Sequence, residues 1–132
     1  MKLPPQMSQD EWFRCIDQHF DSTATLAKSI ALLQVMADDV GREEADRDEA
    51  AAEATEAQRQ LGLQDARWKM VRLGERGLNP PSTEQVKTAH TLSQKVAKVN
   101  AKTAAVAAVV TIAKAVADAL ERFNGNAPAD EG

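Results

Sequence analysis

The sequence predicts an all-α protein, an elongated antiparallel helical hairpin or three-helix bundle with coiled-coil-like packing. Three observations predict it. From Trp12 to Val40, side chains recur at steps of 3 and 4 residues (Trp12, Ile16, His19, Thr23, Leu26, Ile30, Leu33, Ala37, Val40). The same spacing runs through Leu92, Val96, Val99, Thr103, Val106, Val110, Ala113, Ala117 and Leu120. Such steps keep side chains on one stripe of a helix, so each seam describes a long helix that lies against another. Second, Ser8-Gln9-Asp10-Glu11 and Ser82-Thr83-Glu84-Gln85 are capping-box patterns, in which the Ser hydroxyl accepts from the fourth residue's amide and that residue's side chain reaches back. Third, the 43% hydrophobic content is dominated by Ala, with no Tyr and only Trp12, Phe13, Phe20, Trp68 and Phe123 as aromatics. Small side chains make a thin core, which suits helices zipped along their length better than a compact globule.

Taken in order, residues 1–7 read as a flexible N-terminus and residues 8–123 as a single helical domain. The first helix starts at Ser8. Asp21-Ser22-Thr23 offers the backbone alternative hydrogen bonds, but the seam keeps its phase there, so the helix is expected to continue. Gly41 has the chemistry of a helix end, yet Arg42 to Gln60 is rich in strong helix formers, and the spacing predicts one long helix over about 8–60. Leu61-Gly62-Leu63 ends it. Residues 61–81 form a tip, with Asp65 capping a short helix over about 65–73 and Gly74, Gly77, Asn79, Pro80 and Pro81 making the clearest break in the chain. A second long helix over about 82–123 follows, and residues 124–132 read as a disordered tail. Folding the arms together sets Leu26 opposite Val110 and Val40 opposite Val96. It also lays the acidic residues 38–58 beside Lys87, Lys95, Lys98 and Lys102, an arrangement that favours the antiparallel register.

Composition narrows function without naming it. The net charge of −4 argues against a general nucleic-acid binder. The single cysteine, Cys15, cannot pair within the chain, and Met1-Lys2-Leu3-Pro4-Pro5 lacks an apolar run of signal-peptide type, so a cytoplasmic location is expected, with export by a route lacking a cleaved signal left open. Glu11, Cys15 and His19 share one helix face at i, i+4 and i+8, the ingredients of a metal site or nucleophile pair. One helix supplies at most part of a coordination shell, and His19 belongs to the packing seam, so this face reads as core rather than as a site. His90 reads as a solvated or edge residue beside the acidic stretch. No acid, base or nucleophile set stands at a recognisable spacing, and neither enzyme activity, cofactor nor metal is expected.

Two segments bear on binding. The stretch 104–120 is the most apolar, and its second stripe, Val109, Ile112 and Val116, lies beside the main seam. In a two-helix hairpin that stripe has no partner in the facing helix, so it is expected to meet the short tip helix, a second copy or a foreign protein, with association the expected outcome. At the tip, Trp68 and Met70 stand among Arg72 and Arg76, residue types enriched at interfaces, although the preferred reading has Trp68 and Leu73 fold back to plug the end of the bundle. The expected function is therefore a non-catalytic helical interaction module: an adaptor, chaperone, neutralising partner or self-assembling subunit. The alternative is a membrane-active or exported helical protein that uses the 104–120 helix. That run carries Lys114 and Asp118 and falls short of the roughly 20 apolar residues a span requires.

Overall fold

The computed structural model describes residues 7–74, 77 and 79–124, with side chains up to Arg122. Its elements are α1 (Gln9–Asp38), α2 (Glu44–Arg72), α3 (Thr83–Ala97) and α4 (Val106–Asn124). Among the described residues 81% are helical and none lies in a strand. The all-α expectation holds, but each arm of the expected hairpin is two helices.

Both capping boxes form. Ser8 Oγ accepts from the Glu11 amide at 3.1 Å while Glu11 Oε1 accepts from the Ser8 amide at 2.9 Å, and Ser82 and Gln85 repeat the exchange at 3.1 and 2.8 Å. Helix α1 runs unbroken past Asp21-Ser22-Thr23 because its hydroxyls bond helix carbonyls rather than replace the ladder: Thr25 donates to the Asp21 carbonyl and Ser29 to the Thr25 carbonyl, both at 2.9 Å.

The expected helix over 8–60 breaks at residues 39–43. Asp39 is extended, and its Oδ1 accepts from the Gly41 amide at 2.9 Å, a turn that outcompetes continued helix. The break expected at Leu61-Gly62-Leu63 does not occur, and the short helix expected over 65–73 is the end of α2, which closes at Arg72 with Leu73 as its cap. A helical glycine costs about 1 kcal/mol relative to alanine, and the buried Gln64, Trp68 and Val71 just beyond Gly62 outweigh it. Helix α2 ends where Gly74 adopts φ 76°, the left-handed conformation that glycine tolerates. The expected helix over 82–123 breaks in turn at residues 98–105, where Asn100 Oδ1 accepts from the Lys102 amide at 2.9 Å.

The four helices alternate in direction. Trp12 near the start of α1 stacks on Trp68 near the end of α2, Arg14 Nε donates to the Pro81 carbonyl at 2.9 Å just before α3, and Arg67 in the last turns of α2 bonds Glu121 at the end of α4. At the opposite end Arg42 bridges the two interhelical turns, its Nη2 donating to the carbonyls of Ala101 at 2.8 Å and Ala104 at 2.7 Å. Helix α1 touches the other three, α4 touches α1, α2 and α3, and α2 and α3 do not meet. The acidic half of α2 therefore does not lie beside the lysines of α3, contrary to the charge match expected of a hairpin. Val40 is likewise not opposite Val96: it sits in the turn, 87% exposed, while Val96 is buried.

Because three helices converge on it, α1 buries two rows rather than one. Trp12, His19, Leu26, Ile30 and Leu33 form the expected seam, and Cys15, Gln18, Ser22, Thr25, Ser29, Leu32 and Met36 form a second, more polar row. The termini shift slightly too. Met7 packs against the core and Asn124 closes α4, while residues 1–6 and 125–132 of the expected flexible ends lie outside the described residues.

Candidate interaction surface

Local chemistry at the open end is structural. Trp68 lies between two rings, with Trp12 at 5.7 Å and His19 at 4.2 Å between centroids and planes within 11° and 10°. Phe20 meets both His19 and Trp68 edge-on, at 5.2 and 6.1 Å. Burial pushes the His19 imidazole down to about 4, reinforced by the positive charge of Arg72. Asp65 Oδ1 stands 3.8 Å from His19 Nε2, and burial raises the Asp65 carboxyl. Neither shift favours charge, so this contact is not an ion pair at neutral pH.

Glu11, Cys15 and His19 do not converge. Glu11 is held by the Ser8 cap, which lowers its carboxyl. Cys15 is fully buried, its thiol 3.7 Å from Met7 Sδ and pushed up by burial to about 12. No group of three or more His, Cys, Asp or Glu suited to a metal ion occurs among the described residues. His90 is not beside the acidic stretch: its Nδ1 lies 2.7 Å from Asp21 and its Nε2 3.4 Å from Asp17, which ties α3 to α1. A cavity of about 350 Å³ opens between α3 and α4 over Gln18, where Ala89, Ala115 and Ala119 are too small to close the space.

The residues expected to bind a partner separate into two groups. Val109, Ile112 and Val116 are buried in the core, because α1 and α2 both pack on α4 and cover the stripe that a two-helix hairpin would have left bare. Trp68 is buried as the plug. Met70 is 38% exposed and Arg72 is exposed, on the outer surface of α2, and Arg76 lies outside the described residues.

The surface that the sequence reading missed is on α1. Phe13 and Phe20 are 56% and 58% exposed, and with Asp17, Ala24, Ala27, Ala31, Gln34 and Asp38 they form an exposed row at steps of 4 and 3 along the side of α1 away from α4. Beside it runs an exposed row of α2 at the same steps, from Glu44 and Asp48 through Ala51, Thr55, Gln58 and Gly62 to Asp65, Lys69 and Arg72. Asp65 of this row contacts His19 of α1, whereas Gln64 and Arg67 bond Glu121 of α4, which sets the row on the α1 side away from α4. Phe13 and Phe20 stand at helical spacing in the sequence, one position on from the seam residues Trp12 and His19, so the two stripes overlap in the pattern.

No family model, curated protein or solved structure matches the chain. Among the described residues no helix is long and apolar enough to cross a membrane.

Proposed function

We propose that this protein is a non-catalytic helical interaction module that works through the outward face of α1. The observation that carries the reading is the exposure of Phe13 and Phe20, two phenylalanines seven residues apart at the head of an alanine row, on a helix whose opposite side is already buried. Single exposed apolar residues are ordinary, but a periodic row of them along a rigid helix is the form in which helical partners are recognised. The reading is favoured over a membrane-active one because Val106, Val109, Ile112, Val116 and Leu120, the apolar side chains that insertion would use, are packed inside.

The test is a substitution that alters the face and leaves the interior alone. Ala27 is exposed, and Ala27→Glu keeps a good helix former there. Wild-type protein is expected to self-associate or to retain a specific protein from its native host, and Ala27→Glu to lose that association with an unchanged circular dichroism spectrum. A wild-type protein that does neither, or an association indifferent to Ala27→Glu and Phe13→Glu, would sink the reading. Flotation with liposomes that depends on Phe13 would replace it with a membrane one.

A further inference from the structure

We infer that the occupant of this face is a second copy of the chain, docked antiparallel so that α1 lies on α1 and α2 on α2. The inference rests on the interaction reading above and adds the partner and its orientation. A two-fold axis perpendicular to the helices reverses each row against itself. Two registers set phenylalanine over alanine on the α1 row; in the one that the α2 row selects, Phe20 lies over the partner subunit's Ala31, Ala24 over the partner subunit's Ala27, Asp17 over the partner subunit's Gln34 and Phe13 over the partner subunit's Asp38. From Phe20 to Ala31 large thus meets small, which lets the two helices approach closely over the middle of the row.

The α2 rows make that selection. Trp68 stacks between Trp12 and His19, and Asp65 reaches His19, so the relative height of α1 and α2 is known. Carried across the axis, that register sets Asp48 opposite the partner subunit's Lys69 and Glu44 beside the partner subunit's Arg72. Between them lie Ala51, Thr55, Gln58, Gly62 and Asp65, and Asp65 falls opposite the partner subunit's uncharged Ala51, so no like charges face each other. Acidic and basic ends of one row therefore meet head to tail, twice, by symmetry. A parallel pairing does worse. It would set Asp17 and Asp38 each against its own copy, and it would open a gap at the alanines while the phenylalanines collide.

The orientation can be read by disulfide trapping, since native Cys15 is fully buried and stays a spectator. An equimolar mixture of Asp48→Cys and Lys69→Cys proteins, oxidised with copper phenanthroline, is expected to give a covalent heterodimer. Ala31→Cys alone is expected to remain uncrosslinked. Light scattering is expected to give the mass of two chains for wild type and of one chain for Ala27→Glu. Ready self-crosslinking of Ala31→Cys, or a wild-type dimer that the mixed pair fails to trap, would overturn the orientation. A monomeric wild-type protein would overturn the dimer, and if it still retained a host protein through the α1 face, the interaction reading would survive without it.

Discussion

The indole of Trp68 and the imidazole of His19 stack with centroids 4.2 Å apart and planes 10° apart, joining α2 to α1 at the end where the chain enters the bundle. Trp12 covers the other face of the indole, so one side chain closes the core of an otherwise alanine-rich interface. Trp68→Ala is expected to destabilise by about 3–5 kcal/mol, whereas Met70→Ala, two residues on but outward-facing, should cost under about 1 kcal/mol. Urea unfolding of both variants checks this, and equal effects would place the plug elsewhere.

Stability should fall with acid through His19. Its ordinary value of 6.5 drops to about 4 in the fold, so between those values the unfolded chain holds a proton that the native one does not. The contribution is complete above pH 6.5 and is lost as the pH falls toward 4, to the extent of about 3 kcal/mol. Wild type and His19→Phe should therefore differ in the pH dependence of their urea midpoints within that window and run parallel above it. Asp65 acts in the opposite sense, because its carboxyl is raised, so the comparison with His19→Phe is what isolates the imidazole.

Arg42 holds the far end. Its guanidinium donates to the carbonyls of Ala101 and Ala104, and Arg42→Met would leave both acceptors without it. Hydrogen bonds involving a charged group contribute about 1.5–3 kcal/mol, and a loss of that order is expected. Hydrogen exchange should show faster opening around residues 98–105 than at the Trp68 end.

Ile112→Glu and Ala27→Glu should behave oppositely. Ile112 is 8% exposed and surrounded by core, so a carboxylate there has no partner and the fold should be lost or severely weakened, by at least about 3 kcal/mol. At exposed Ala27 the same charge should change monomer stability by no more than about 0.5 kcal/mol. Thermal unfolding followed by circular dichroism separates the two outcomes.

Local patterns were sufficient to determine the helical class, both capped starts at Ser8 and Ser82, the end of α2 before Gly74 and the unbroken run through Asp21-Ser22-Thr23, because each depends on spacing or on hydrogen bonds within a few residues. The breaks at residues 39–43 and 98–105 were not legible in the same way. Gly41 carried the chemistry of a helix end but was outweighed by the helix formers after it, Asn100 has helix-compatible neighbours, and both turns prevail in a fold where Arg42 joins the two loops across 59 and 62 residues of chain. Those breaks turned two arms into four helices, and that alone decided which apolar stripe is covered. Val109, Ile112 and Val116 gained α1 and α2 as neighbours, while Phe13 and Phe20, on a side that no fourth helix reaches, kept their exposure. Periodicity specifies that a helix has a sticky side, but the number of helices that converge on it decides whether that side is core or surface.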